Sequence, residues 1–101
     1  MDEFDRAERL HREAAEQRIA VIDTDIDLAM TFLQLALTAL SMSHYESADQ
    51  LLEKAHVARD TMAKFLPHVA DVEQQQRLRR KHQALTDAIA EVERKRTEAR
   101  P

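Results

Sequence analysis

The feature that most limits the possible folds is the absence of the residues on which tight turns depend. The 101-residue chain has no glycine and no asparagine, and its only prolines are Pro67 and Pro101. Hairpins between strands favour glycine and asparagine because their turns adopt positive φ angles. Strong helix formers such as Ala, Leu, Glu, Gln and Arg dominate instead. The sequence therefore predicts an all-α fold with a single helical domain spanning residues 1–101.

The same composition excludes several kinds of chemical site. Without glycine there is no phosphate-binding glycine loop and no dinucleotide fingerprint, and without cysteine there is no disulfide, thiolate metal site or cysteine nucleophile. Asp23, Asp25 and Asp27 resemble the start of a calcium loop, but Leu28 and Gln34 stand where that loop needs glycine and glutamate. We expect no catalytic residues, no cofactor and no metal.

The chain also lacks the sequence signals of a membrane or secreted protein. No apolar run approaches the roughly 18 residues of a membrane span, and the acidic N-terminus lacks the basic-then-apolar order of a secretion signal. We therefore expect a cytoplasmic protein with no membrane contact.

The N-terminal half has the apolar periodicity of one long helix. Apolar residues recur at steps of three and four on one helical face. This face consists of Ile19, Ile22, Ile26, Met30 or Ala29, Leu33, Leu37 and Leu40. Asp23, Thr24 and Asp25 could cap a second helix, but the unbroken spacing favours a continuous one. Residues 1–15 carry few apolar side chains and are expected to fray.

A polar turn at Ser41–His44 separates the first helix from the second. Ser43 and Glu46 have the spacing of a capping box, in which each side chain bonds a free backbone amide at the helix start. The second helix should end at Leu66, because Pro67 disfavours helical geometry in the residue before it. Its predicted buried face consists of Ala48, Leu51, Leu52, Ala55, Ala58, Met62 and Phe65.

A third helix follows, which Asp71 and Gln74 can cap. Its apolar positions alternate steps of four and three, the spacing of a short heptad repeat. These positions are Leu78, His82, Leu85, Ile89 and Val92. Residues 97–101 are expected to fray. The three helices predict an antiparallel bundle whose long first helix extends beyond its partners.

The central hairpin combines aromatic, large apolar and small residues on its two helices: Phe32, Leu35, Ala36, Tyr45, Ala48, Leu52 and Ala55. This pattern resembles that of a tetratricopeptide-type repeat. Ala36 and Ala48 would let the two helices approach closely, while Phe32 and Tyr45 fill the space between them.

The sequence departs from the repeat pattern at three places. Ala39 replaces an aromatic residue, Ser43 a frequent glycine and Asp60 the closing proline. The longer second helix and the added third helix are similar to the microtubule-interacting-and-transport type of domain. Both resemblances imply protein–protein interaction, although a lone repeat cannot form the usual peptide groove.

The uneven charge and the apolar faces suggest two functions. Residues 77–101 hold eight basic and four acidic residues, whereas the remainder holds seven basic and fifteen acidic residues. The first hypothesis is a non-enzymatic assembly module that pairs with itself or with a protein partner. Its predicted contact residues are Ile19, Ile22, Ile26, Leu78, His82, Leu85, Ile89 and Val92.

The alternative hypothesis is a small nucleic-acid-associated protein. A cluster of Arg77, Arg79, Arg80 and Lys81, together with residues 94–96, would contact phosphates on this reading. The acidic remainder of the chain and the scarcity of aromatic residues argue against it.

Overall fold

The computed structural model describes residues 3–100 and consists of three α-helices joined by short turns. They are α1 (Glu3–Ser41), α2 (Tyr45–Phe65) and α3 (Val72–Glu98), with a single 3₁₀ turn at Leu66–His68. No strand occurs among residues 3–100. The all-α, three-helix architecture predicted from the sequence is confirmed.

Helix α1 is continuous from Glu3 to Ser41, through the residues that could have capped a second helix. At 1.5 Å per residue it is about 58 Å long, which accounts for the elongated shape of 65 × 19 × 15 Å. Residues 3–15, which were expected to fray, continue this helix with almost entirely exposed side chains. Residues 1, 2 and 101 of the two expected frayed ends lie outside the described residues.

The core consists of two apolar clusters that follow each other along the bundle. The larger one joins all three helices and contains Ala29, Leu33, Ala36, Ala39, Leu40, Ala48, Leu52, Ala55, Leu85, Ile89 and Val92. The smaller one contains Ile22, Ile26, Met62, Leu66 and Leu78, with Ile19 and Val69 against its edge. Ala36, Ala48 and Ala55 expose no surface, so α1 and α2 pack closely along this line.

The turn between α1 and α2 differs from the predicted capping box. Ser43 adopts a left-handed conformation with φ of 61°, and its amide donates to the carbonyl of Leu40 at 3.0 Å. The amide of His44 donates to the carbonyl of Ala39 at 2.8 Å. This pair of bonds is the Schellman motif that closes a helix C-terminus.

The predicted roles of Ser43 and Glu46 as a cap are therefore wrong. His44 occupies the N-cap of α2, and no side chain bonds the free amides there. Because the amide of Ser43 already closes α1, it is not available to a glutamate from α2.

The second turn agrees better with the sequence. Helix α2 ends at Phe65, directly before the 3₁₀ turn that contains Pro67. The carboxylate of Asp71 accepts a hydrogen bond from the amide of Gln74 at 3.0 Å, as predicted for the start of α3. Phe65, predicted to be buried, is 44% exposed at the end of α2.

Candidate protein-interaction face

A row of mostly exposed apolar side chains runs along one flank of α1. It recurs at every seventh residue and is called the outer row: Ala7, Ala14, Val21, Leu28 and Leu35 in the helix, and Met42 in the turn that follows it. Its large members are about half exposed, with Val21 at 59% and Leu28 at 49%. Isolated exposed apolar residues are common on protein surfaces, so the regular seven-residue spacing, and not exposure alone, distinguishes this row.

The outer row lies on a different side of α1 from most of the core residues. Seven residues advance about 20° less than two full turns of an ideal helix, so a strict seven-residue repeat stays on one slowly winding face. Leu33, in the core, lies five residues from Leu28, which places it about 140° around the helix. Helix α1 therefore carries two apolar faces, and the bundle covers one of them.

Three threonines widen the outer row without adding free polar groups. Thr24, Thr31 and Thr38 each follow a row member by three residues. Each hydroxyl donates to the backbone carbonyl four residues earlier, at 3.0, 3.1 and 3.2 Å. Because the hydroxyls are satisfied within the helix, the apolar methyl groups can face a partner at low desolvation cost. From residue 21 to residue 38, the row and the threonines occupy the a and d positions of a heptad repeat.

The N-terminal part of α1 extends past the other helices and adds to this face. This segment, called the overhang (residues 3–18), leaves Phe4 75% exposed and Leu10 57% exposed. Only Ala14 within it is even half-buried. The overhang has five acidic and four basic residues, so its charge is nearly balanced.

A groove lies where the overhang meets the bundle. It has a volume of about 380 Å³ and runs between α1 and the end of α2. Ala14 and Val21 of the outer row form one wall, and Met62 and Phe65 form the other. The groove is thus continuous with the outer row, and Arg18 and Asp25 lie along its length.

The role predicted for Leu35 is wrong. This residue was assigned to packing within the hairpin, but it is 49% exposed and belongs to the outer row. Leu52 is buried as the pattern requires, whereas Phe32 and Tyr45 are only half-buried. A cationic side chain lies over each ring. The Lys54 nitrogen is 5.3 Å from the centre of the Phe32 ring, and the Arg96 guanidinium is 4.9 Å from the centre of the Tyr45 ring.

The residues predicted for self-association also require correction. Ile22 and Ile26 pack against Met62 and Leu78 inside the same chain. The third-helix positions Leu78, Leu85, Ile89 and Val92 are at most 3% exposed, so a second copy cannot reach them without opening the bundle. Ile19 is half-buried at the edge of the same cluster as Ile22, to which Leu66 of the turn after α2 also belongs.

His82 of the same predicted set is half-buried on α3. Its Nε2 atom is shielded from solvent and has no hydrogen-bond partner among residues 3–100. An unsatisfied ring nitrogen of this kind destabilises the fold. In the part of the chain that the structure describes, no group of three His, Asp or Glu side chains could hold a metal ion.

Half of the predicted basic cluster is paired with α1. Arg77 donates two hydrogen bonds to the carboxylate of Asp23, both 2.8 Å, and Lys81 donates a third at 2.9 Å. The Arg77 guanidinium is the main reason why the pKa of Asp23 falls to about 2. The first aspartate of the calcium-like run thus holds α3 against α1. Arg79 and Arg80 are exposed.

The basic C-terminal end of α3 is likewise engaged within the chain. Arg96 donates to Asp49 on α2 at 2.8 Å, which lowers the pKa of that carboxyl. Arg94 bonds Glu91 and Glu98 on its own helix. Nucleic-acid binding of moderate affinity needs several free cations, and these ion pairs leave few in either basic segment.

The comparisons do not assign the chain to a family. No protein-family model, no curated protein and no solved structure matches it. No helix within residues 3–100 is long and apolar enough to cross a bilayer.

Proposed function

We propose that this chain is a non-enzymatic assembly module that associates with a second copy of itself through the outer row of α1. The observation that carries the proposal is the seven-residue repeat of exposed Val21, Leu28, Leu35 and Met42. A sustained heptad repeat of this kind is the pattern of a helix that pairs with another helix.

A second copy fits this face because it presents a helix with the same repeat. The outer row runs from the overhang to the end of α1, and the threonines flank it from residue 24 to residue 38, so two α1 helices can contact each other along most of their length. A contact along the full length of α1, about 58 Å long and about 10 Å wide, would bury on the order of 600 Å² per copy. Specific interfaces bury about 800 Å² per partner, so a weak dimer is expected, with a dissociation constant on the order of 10 µM.

The experiment that tests the proposal places a charge in the outer row. Leu28→Glu removes an apolar contact and sets a carboxylate inside the interface, while the bundle is little affected because Leu28 is 49% exposed. We expect the dissociation constant to rise at least about tenfold, since a truncated central contact typically costs more than about 1 kcal/mol.

Val57→Glu is the matched control. Val57 is 56% exposed but lies on α2, away from the outer row. Sedimentation equilibrium of the three proteins should show that Val57→Glu associates like the unmodified chain. Equal loss of association in both variants would mean that general surface hydrophobicity, and not the outer row, drives the contact.

A further inference from the structure

We infer that the two copies pair with their α1 helices antiparallel, about a two-fold axis near Ile22, with Arg18 of each copy beside Asp25 of the other. The inference rests on the proposed self-association and adds its geometry. The axis lies at the middle of α1, because Glu3–Ser41 is centred on residue 22. Antiparallel pairing about this point covers the whole length of the helix.

This register places Leu35 against Leu10 and Val21 against a threonine, while Leu28 faces Gln17. In an antiparallel heptad pair, the a positions of one helix face the d positions of the other. Val21 then faces Thr24 of the second copy, and Leu35 faces Leu10. Leu10 and Leu35 are 57% and 49% exposed within a single chain, so pairing would bury apolar surface on both side chains. Ala14 faces Thr31, and small side chains at these positions let the helices approach.

Charge complementarity selects this register over its neighbours. Arg18 and Asp25 lie on the same flank of the outer row, where both line the groove. With the axis near Ile22, the two-fold symmetry creates two Arg18–Asp25 pairs. A slip of one heptad towards the N-terminus would place Arg18 against Arg18, and a slip towards the C-terminus would place Asp25 against Asp25. Like charges in such positions disfavour both alternatives.

The overhang favours the antiparallel orientation. In that orientation, residues 3–18 of one copy lie along residues 27–42 of the other, where Leu28, Leu35 and Met42 are exposed and the bundle supports the helix. A parallel pair would bring the two overhangs only against each other. Antiparallel helices also oppose their dipoles, which is electrostatically favourable.

Disulfide trapping tests the orientation, because the natural chain contains no cysteine. The Leu10→Cys and Leu35→Cys variants are mixed, equilibrated and oxidised slowly, and the products are identified by mass spectrometry. We expect the mixed disulfide to exceed each homodisulfide by about tenfold, because only the facing pair meets the close geometry that a disulfide needs. A mixture of Leu10→Cys with Leu28→Cys is the control, since the second position is displaced by about 10 Å along the helix.

The outcomes separate this inference from the proposed function. A dimer that instead traps Leu28→Cys with itself is parallel, which overturns the inference and leaves self-association intact. A chain that stays monomeric and traps no pair overturns both.

A charge swap gives a second readout for the register. Arg18→Glu should weaken the dimer about tenfold, since two ion pairs become two like-charge pairs. The double variant Arg18→Glu with Asp25→Arg should restore the affinity. A double variant that stays as weak as Arg18→Glu would contradict the inferred register.

Discussion

The left-handed conformation of Ser43 leads to a sharp prediction about the turn between α1 and α2. Replacing Ser43 with glycine should stabilise the protein, because a residue with a Cβ atom is strained at a φ of 61°. The left-handed conformation costs about 1–2 kcal/mol for ordinary residues. Glycine avoids this cost but loses about 0.5–1 kcal/mol more backbone entropy on folding. The net expected stabilisation of Ser43→Gly is therefore about 0.5–1 kcal/mol.

Urea denaturation and thermal melting measure this difference directly. For a chain of about 100 residues, the expected gain corresponds to a rise in Tm of about 3–6 °C. Both hydrogen bonds of the turn, from the amides of Ser43 and His44, should remain, since glycine keeps the same backbone groups.

Ser41→Gly is the matched control two residues away. Ser41 is the last residue of α1 and its hydroxyl donates to the carbonyl of Thr38 at 2.7 Å. Glycine there loses this bond and weakens the helix, so the control should destabilise the protein by about 0.5–1 kcal/mol. If Ser43→Gly destabilised the protein to the same extent, Ser43 would not be left-handed and the assigned helix closure would be refuted.

Three further substitutions test other parts of the fold. Asp23→Asn should lower the free energy of unfolding by about 1 kcal/mol at pH 7. Because folding depresses the pKa of Asp23 from 3.8 to about 2, this loss of stability should persist above pH 3.8. In urea titrations it should vanish as the pH falls through 2. Ala48→Leu should cost about 3 kcal/mol in the same assay because Ala48 has no exposed surface, whereas Ala90→Leu, on the exposed side of α3, should change stability little. His82→Met should raise Tm by removing the unsatisfied Nε2 atom, and His11→Met, which is exposed on the overhang, should not.

Local signals in the sequence predicted most of the helices. The continuous helix through Asp23, the end of α2 before Pro67 and the cap at Asp71 are each decided within a few residues, by periodicity, by proline sterics and by one side-chain hydrogen bond. The structure agrees on all three.

Features that depend on distant parts of the chain were not predictable in this way. The pairing of Asp23 with Arg77 joins residues 54 positions apart, which only the packing of α3 on α1 brings together. Ile22 was expected to contact a second copy or a protein partner, because the sequence does not reveal that Leu66 and Leu78 pack in the same cluster.

The outer row was within reach of sequence analysis but was missed. The core residues and the outer row share one helix, and the core pattern of Ile26 and Leu33 dominates the periodicity. Leu35 was interpreted through the repeat-like hairpin, which assigned it to packing. A search for a second repeat, offset by about 140° from the core face, would have separated Leu28 and Leu35 from the core.

Sedimentation equilibrium of the unmodified chain tests self-association, the central claim, most directly. The weight-average mass is measured from about 1 to 500 µM, a range that brackets the expected dissociation constant. We predict a smooth rise from 11.7 kDa towards twice that mass as concentration increases. A constant mass of 11.7 kDa over the whole range would contradict the account, because the exposed outer row would then have no second copy to cover it.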